Sequence, residues 1–161
     1  MLCSTRMMCG YILVFLQAAT ATAYADSLTG QATVVDGDTI EIHGNRIRLA
    51  GIDAPESRQG CFGKEGEEYR CGKVAAFALA DRIGRAPVTC LGTEKDRYRR
   101  LIATCSIGNV DLNAWMVDQG YAVAYRRYSK AYIPQEEAAK IAHRGLWAGT
   151  FAMPWDWRRA H

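Results

Sequence analysis

The sequence predicts a small α+β domain built on a partly open β-barrel. Five short strand-like runs follow one another up to about residue 107, with one helical segment inserted, and helical patterns dominate the remainder. A chain of 161 residues has room for one domain and a short extra segment. A composition that is 49% hydrophobic and 23% charged excludes a collagen, a long coiled coil and a wholly disordered chain.

The first 25 residues have the pattern of a secretory signal peptide. Arg6 precedes a short apolar run over residues 11–16, and Ala23-Tyr24-Ala25 is a small-x-small cleavage site. The alternative is an uncleaved membrane anchor, but the apolar run is too short to cross about 30 Å of hydrocarbon. We therefore expect cleavage after Ala25. Residues 26–161 should then form one periplasmic or secreted domain without a membrane association.

The cysteine count supports that compartment. Cys3 and Cys9 fall in the leader, and the four remaining cysteines predict two disulfides in an oxidising environment. Three pairings are possible. We favour Cys61–Cys71, which brackets a polar loop, and Cys90–Cys105, whose members each end a strand-like run. A four-cysteine zinc site is the alternative, but it lacks a close C-x₂-C pair.

The strands begin with a hairpin. Asp36-Gly37 lies between the β-branched runs 32–35 and 39–42, and such a dipeptide is a strong signal for a tight turn. A third strand is predicted over residues 46–52. The alternation of its residues places Ile47 and Leu49 on one face and Arg46 and Arg48 on the other. The strand should end before Pro55.

The helices come next. A polar loop over residues 57–68 precedes a helix that should end at Gly84, with apolar residues at helical spacing: Ala76, Leu79, Ala80 and Ile83. Strands at 87–92 and 100–107 follow. A second helix should begin with Asn109 as its N-cap and end at Gly120, and a third should run from Pro134 to His143.

The tail over residues 146–161 is rich in tryptophan. The tryptophans could bind single strands by stacking. The interpretation that we favour is that they pack the tail onto the helices and leave Arg158 and Arg159 in solvent.

Two groups of carboxylates could serve a metal-dependent reaction. Asp36 and Asp38 at the tight turn can present hard oxygens to a divalent cation, although Asp-Gly is also ordinary turn chemistry. Asp53 and Glu56, directly after a strand, could supply a metal ligand and a general base. The alternative is that Arg48 forms a surface ion pair with them beside a strand-ending turn.

Arginines cluster in the same part of the sequence. Arg48 could hold a phosphate through two parallel hydrogen bonds. Residues 96–100 place three arginines around Tyr98, which could contact phosphate and stack on a base or sugar, or else form a solvated β-turn. The net charge of +3 is weak and argues against tight, non-specific coating of a polyanion.

Together these motifs resemble the staphylococcal nuclease (thermonuclease-like) family over about residues 30–148. The motifs that carry the resemblance are Val35-Asp36-Gly37-Asp38-Thr39, Ile47-Arg48-Leu49-Ala50-Gly51-Ile52-Asp53-Ala54-Pro55-Glu56, Asp96-x-Tyr98-x-Arg100 and Val117-Asp118-Gln119-Gly120-Tyr121-Ala122. The resemblance implies a five-stranded OB-fold β-barrel with three helices. It also implies a monomeric, calcium-dependent phosphodiesterase that acts on DNA and RNA.

The resemblance also implies roles for individual residues. Asp38, Asp53 and the backbone carbonyl of Ala54 match the metal ligands, and Glu56 matches the residue usually assigned as general base. Arg48 and Arg100 match the two phosphate-binding arginines. Arg97 and Tyr98 match positions beside the bound nucleotide, while Tyr125 and Tyr128 are candidates for its aromatic pocket.

The sequence departs from the family pattern at three places. Ala54 stands where the type member has Thr, Arg99 replaces the Gly that usually precedes the catalytic arginine, and the cysteine loop at 61–71 is foreign to it. Calcium is selected by the resemblance alone, since hard oxygen ligands also admit magnesium or manganese. The alternative function is a non-catalytic OB-fold module that binds nucleic acid or another ligand.

Overall fold

A computed structural model describes residues 26–161, so the predicted leader at 1–25 lies outside the described residues. The described chain forms eleven strands, four α-helices and a 3₁₀ turn at Gly145–Ala148. The strands are β1 (Asp26–Gly30), β2 (Ala32–Asp36), β3 (Thr39–Ile42), β4 (Asn45–Leu49), β5 (Ile52–Asp53), β6 (Gly60–Phe62), β7 (Glu68–Arg70), β8 (Val88–Lys95), β9 (Leu101–Ile107), β10 (Val110–Asp111) and β11 (Val123–Ala124). The helices are α1 (Cys71–Ile83), α2 (Leu112–Asp118), α3 (Ile133–Ile141) and α4 (Pro154–Ala160).

The main sheet is mixed and has seven strands. Its order is β1-β8-β9-β4-β3-β2, with β10 paired to β9. The β4–β9 pair is parallel and the other pairs are antiparallel. Two small sheets, β5–β11 and β6–β7, lie apart from it. The α+β class is therefore confirmed, while five strands and three helices understate the number of elements in the described chain.

The differences in strand count have local causes. The third predicted strand breaks after Leu49, because Gly51 adopts a left-handed φ of 73° and turns the chain away from the sheet. The continuation, β5, pairs with β11 instead. The predicted polar loop at 57–68 contains most of the short hairpin β6–β7, and the tail contains helix α4.

Helices α1 and α2 pack on the main sheet, and their details differ slightly from the prediction. On α1 the buried positions include Ala75, Leu79 and Ile83, whereas Ala80 is exposed. The N-cap of α2 is Asp111 rather than Asn109, and its carboxylate accepts a hydrogen bond from the Ala114 N–H at 2.9 Å. The prediction failed because β10 uses the residues that follow Asn109.

Both predicted disulfides are present. Cys90 and Cys105 are directly opposed residues of β8 and β9. The Cys61–Cys71 bridge joins β6 to the first residue of α1, and Trp147 and Trp155 pack against the small apolar cluster that contains it. These two tryptophans of the tail are therefore packed against the domain. Among residues 26–161, none of the helices combines the length and apolar character needed to cross a bilayer.

Candidate functional site

The residues of the candidate site meet at one end of the β2–β3–β4 region. Register places Thr39 opposite Arg48, and the Leu49 N–H donates to the Asp38 carbonyl at 2.8 Å. The turn that follows β4 then delivers Asp53 to the same place on β5. The site thus combines the β2–β3 turn, which carries Asp38, with β5, which carries Asp53.

Arg48 joins the two buried carboxylates. Its Nη1 donates to Asp38 Oδ1 at 2.6 Å and its Nη2 donates to Asp53 Oδ1 at 2.8 Å. The side chains of Asp38 and Asp53 are 5% and 0% exposed. Two buried carboxylates this close together need a compensating cation, because an unpaired buried charge is very unfavourable. The surface-pair alternative for Arg48 is therefore wrong.

The electrostatics of this pair of carboxylates follow from burial. Burial raises the pKa of Asp38 to about 7, although Arg48 acts in the opposite direction. Burial alone would lower the pKa of Arg48, but Asp38 and Asp53 raise it above its ordinary value. The Ala54 N–H also donates to Asp38 Oδ2 at 3.0 Å, which fixes the orientation of that carboxylate.

Glu56 lies beside this group but is more accessible, with a side chain that is 38% exposed. Its carboxylate accepts a hydrogen bond from Arg158 Nη1 at 2.7 Å. The same arginine donates to both oxygens of Asp53, through Nη1 at 3.1 Å and Nη2 at 2.7 Å. Arg158 thus does not stand free in solvent, contrary to the sequence interpretation.

Arg100 reaches the site from the β8–β9 turn. Its guanidinium pairs with Asp96 Oδ2 at 2.7 Å, and its Nη1 lies 3.5 Å from the Thr39 hydroxyl. That hydroxyl donates to Asp38 Oδ1 at 3.1 Å. Arg99 is exposed and adopts a left-handed φ of 66°, the conformation for which glycine is suited. Arg100, rather than Arg99, therefore faces the carboxylates.

The other predicted substrate residues lie at the edges of the site. Tyr98 is 64% exposed, and the Arg97 guanidinium lies 4.8 Å from its ring centroid. Among the described residues, no hydrogen bond joins either side chain to Asp38, Asp53 or Glu56. The structure therefore places this pair on an exposed turn next to Arg100.

Tyr125 lies near the turn between β4 and β5, where its backbone N–H donates to the Gly51 carbonyl at 2.9 Å. Its ring stacks on Trp155 at a centroid distance of 5.4 Å and an interplanar angle of 7°, and Tyr128 meets it edge-on at 4.9 Å. A cleft of about 490 Å³ opens there, and Arg126, Arg127 and Lys140 line part of it. Glu136 and Glu137 also line the cleft and pair with Arg126 and Lys140, so aromatic surface lies there beside a group of paired charges.

Comparison with known proteins identifies the family of the chain. The family of staphylococcal nuclease homologues matches residues 46–149, a span that contains Arg48, Asp53, Glu56 and Arg100. The chain belongs to this family. Family membership implies an OB-fold for the sheet region.

Several curated proteins are similar to this nuclease homologue. The succinoglycan biosynthesis protein ExoI of Rhizobium meliloti (strain 1021) is 38% identical over 147 residues, covering 89% of this chain and 76% of the relative. The micrococcal nuclease of Shigella flexneri is 36% identical over 156 residues, with coverages of 86% and 84%. An uncharacterized endonuclease of Haemophilus influenzae is 35% identical over 134 residues, with coverages of 78% and 70%.

The donor set of this nuclease homologue contains hard oxygen atoms of the kind that a divalent cation prefers, and in this structure those oxygens accept hydrogen bonds from Arg48, Arg158 and the Ala54 N–H. Asp38 and Asp53 place buried carboxylate oxygens together, and the backbone of Ala54 lies next to them. No cluster of three or more His, Cys, Asp or Glu side chains suited to a metal occurs within residues 26–161. Two carboxylates are sufficient for a cation that completes its coordination with water and phosphate oxygens.

Sequence reasoning missed two residues that shape the site of this nuclease homologue. Arg158 pairs with Glu56 although 102 positions separate them. Gln59 is fully buried, donates to the Ala152 carbonyl at 2.7 Å and accepts from the Glu56 N–H at 3.3 Å. No spacing or local pattern connects the tail to this loop, so the sequence carried no signal for either contact.

Proposed function

We propose that this chain is an exported, divalent-metal-dependent nuclease that hydrolyses phosphodiester bonds of DNA, RNA or both. One observation carries the proposal: Arg48 holds the buried carboxylates of Asp38 and Asp53 together, with Glu56 and Arg100 at their two sides. Membership of the staphylococcal nuclease homologue family supports it.

Asp38, Asp53 and the backbone carbonyl of Ala54 would hold the cation. We propose calcium on the basis of the family resemblance, and magnesium or manganese share the same preference for hard oxygen ligands. A divalent cation bound there would act as a Lewis acid that offsets the negative charge of the phosphate. The replacement of Thr by Ala at position 54 leaves a main-chain ligand of this kind intact.

The side chains of the chain itself supply the remaining chemistry. Arg48 and Arg100 bind the non-bridging phosphate oxygens and stabilise the charge that builds up in the five-coordinate transition state. Glu56 accepts a proton from the attacking water, whose oxygen forms a new bond to phosphorus. One ester P–O bond then breaks, and the leaving oxygen takes a proton from solvent.

Residues around this centre would bind the nucleotide. Tyr98 and Tyr125 offer aromatic faces on two sides of the site, and Arg97 adds a positive charge next to Tyr98. Base–aromatic stacking tolerates any sequence, because every base has a π-face. We propose that the enzyme acts as a monomer on a nucleic-acid substrate.

The disulfides support export. Bridges of this kind persist in oxidising compartments, which agrees with a periplasmic or secreted protein and with a cleavable leader over residues 1–25.

A digestion assay tests the proposal. The purified protein is incubated with single- and double-stranded DNA and with RNA, first in calcium, then with excess chelator, then with calcium restored. We expect hydrolysis that stops with the chelator and resumes with calcium. Hydrolysis that continues without metal would contradict the mechanism. The same assay is run with magnesium and with manganese, and tight binding without cleavage in all three cations would favour the binding-module alternative.

A further inference from the structure

The last helix of the chain contributes a side chain to the centre of the site. Arg158 lies on α4, and its two terminal nitrogens contact Asp53 at 2.7 and 3.1 Å and Glu56 at 2.7 Å. We propose that Arg158 is a positioning residue for hydrolysis, which holds the Glu56 carboxylate next to Asp53 in the orientation that accepts the proton of the attacking water. This inference rests on the proposed nuclease function and gives a role to a residue that the mechanism above does not mention.

The need for such a residue follows from the way Glu56 is held. Glu56 comes after Pro55 in a loop, and its backbone N–H donates to Gln59 at 3.3 Å. Among the described residues, Arg158 is the one hydrogen-bond donor to the Glu56 carboxylate. A half-exposed glutamate side chain has several rotamers, so an unrestrained carboxylate would spend much of its time away from the water.

The shape of the arginine suits this task. A guanidinium is planar and presents its donors in a fixed fork, so one group can fix the relative position of two carboxylates. Here Nη1 is shared between Asp53 Oδ1 and Glu56 Oε1, while Nη2 binds Asp53 Oδ2. Burial acts to lower the pKa of Arg158, but its hydrogen bonds to Asp53 and Glu56 raise it, so the group stays charged.

The segment that carries Arg158 is itself anchored. Pro154 at the start of α4 is buried, and Trp155 stacks on Tyr125. The Ala152 carbonyl accepts the 2.7 Å hydrogen bond from Gln59, which lies three residues after Glu56. The loop of Glu56 and the segment that carries Arg158 are thus joined at a second point. This second contact restricts the positions that the guanidinium can adopt.

Asp53 therefore lies between two arginines with different tasks. Arg48 joins Asp53 to the buried Asp38 on the inner side, and Arg158 joins Asp53 to the accessible Glu56 on the outer side. The inner arginine balances buried charge, whereas the outer one sets the geometry of the group that takes the proton.

Steady-state kinetics with a matched control test this role. We expect Arg158→Ala to lower kcat on single-stranded DNA in saturating calcium by roughly 10- to 100-fold, with a small change in KM. Arg159→Ala is the control, because Arg159 is exposed on the same helix and pairs with Asp156 instead. Arg158→Met keeps the length of the side chain and should lose as much activity as Arg158→Ala. Arg158→Lys keeps the charge without the fork and should recover only part of the rate.

A double-mutant cycle separates positioning from a general structural effect. If Arg158 acts through Glu56, then adding Arg158→Met to Glu56→Gln should cause little further loss of kcat. Circular dichroism and thermal melting confirm that each variant is folded.

Three results would overturn the inference while the wild type still cleaves DNA. The first is an unchanged kcat for both Arg158→Ala and Arg158→Met. The second is a kcat of either variant above that of the wild type, which would mean that the guanidinium blocks the cation. The third is a double-mutant cycle in which the losses of kcat are fully additive. A wild-type protein that hydrolyses no nucleic acid would instead overturn the proposed function, and this inference with it.

Discussion

Arg48 is the residue on which the charge balance of the buried carboxylates depends. It bridges Asp38 and Asp53 at 2.6 and 2.8 Å, and neither carboxylate has appreciable contact with solvent. Such an arrangement is costly to assemble and still more costly to break, because removal of one partner leaves a buried charge uncompensated.

We therefore expect Arg48→Ala to lower the free energy of unfolding by about 3 kcal/mol at neutral pH. Urea denaturation measures the loss. Arg46→Ala is the matched control on the same strand, since Arg46 is exposed and lies 3.7 Å from Glu41, a pair that contributes little to stability. Equal losses for the two variants would show that Arg48 does not balance buried charge.

Arg99 gives a second prediction at the scale of one residue. Its φ of 66° is unfavourable for a residue with a side chain, and that strain is of the order of 1–2 kcal/mol. Glycine removes the strain but costs about 0.5–1 kcal/mol in backbone entropy, so Arg99→Gly should raise the free energy of unfolding by about 0.5 kcal/mol. Arg97→Gly, at a position without a positive φ, should lower it. Thermal melting of the pair checks this opposite sign, and a loss in both variants would refute it.

At the scale of elements, the start of α1 fixes the loop that carries Glu56. Gly72 packs so closely on this loop that a Cβ would collide with the Glu56 carbonyl oxygen. The Cys61–Cys71 bridge ties the other side of the loop to the same helix end. The position of the proposed base therefore depends on the packing of this helix terminus.

We expect Gly72→Ala to cost about 1–3 kcal/mol of stability through overpacking, and to reduce kcat roughly 10- to 100-fold because Glu56 moves. Urea denaturation and DNA hydrolysis in calcium measure the two effects. Lys73→Ala is the control, because the next residue of the helix is exposed. Wild-type activity and stability in Gly72→Ala would contradict the close approach.

The same elements show what local sequence can predict. The hairpin at Asp36-Gly37, the face of β4 and the end of α1 at Gly84 follow from turn chemistry and alternation, and the structure confirms them. The pairing of β5 with β11 depends instead on a distant strand, which local patterns do not encode. The cap at Asp111 follows from the short hairpin between β9 and β10, which turns at Gly108.

At the scale of the whole molecule, the tail closes over the site. Besides Arg158, Gln59 is a polar tie between them, because it is fully buried and joins Ala152 to the backbone of Glu56. The stack of Trp155 on Tyr125 holds the same segment from its other side.

We expect Gln59→Leu to lower the free energy of unfolding by about 1–3 kcal/mol, because it removes the two hydrogen bonds that the fully buried amide makes with the Ala152 carbonyl and the Glu56 N–H. Urea denaturation measures this loss, and limited proteolysis should cut the tail sooner. Gln31→Leu is the control, since the amide of Gln31 bonds to Gly84 on the exposed surface. Similar losses in both variants would show that the tie contributes no special stability.

The site was predictable to the extent that motifs are local. Asp38, Arg48, Asp53 and Glu56 lie within one stretch of sequence, and Arg100 follows on the next strand pair, so the family pattern indicated all five. For Arg158 the sequence favours a position in solvent, with the tail held by its tryptophans. Its contacts depend on how the tail packs in the folded chain, which the local sequence does not specify.

The central claim is that these residues form a centre for phosphodiester hydrolysis with Glu56 as the base. The most direct test is the rate of DNA hydrolysis by Glu56→Gln in saturating calcium, compared with Glu41→Gln, a partly exposed glutamate on β3. We predict a loss of about 10²- to 10⁴-fold for Glu56→Gln and a wild-type rate for Glu41→Gln. A wild-type rate for Glu56→Gln would contradict the claim.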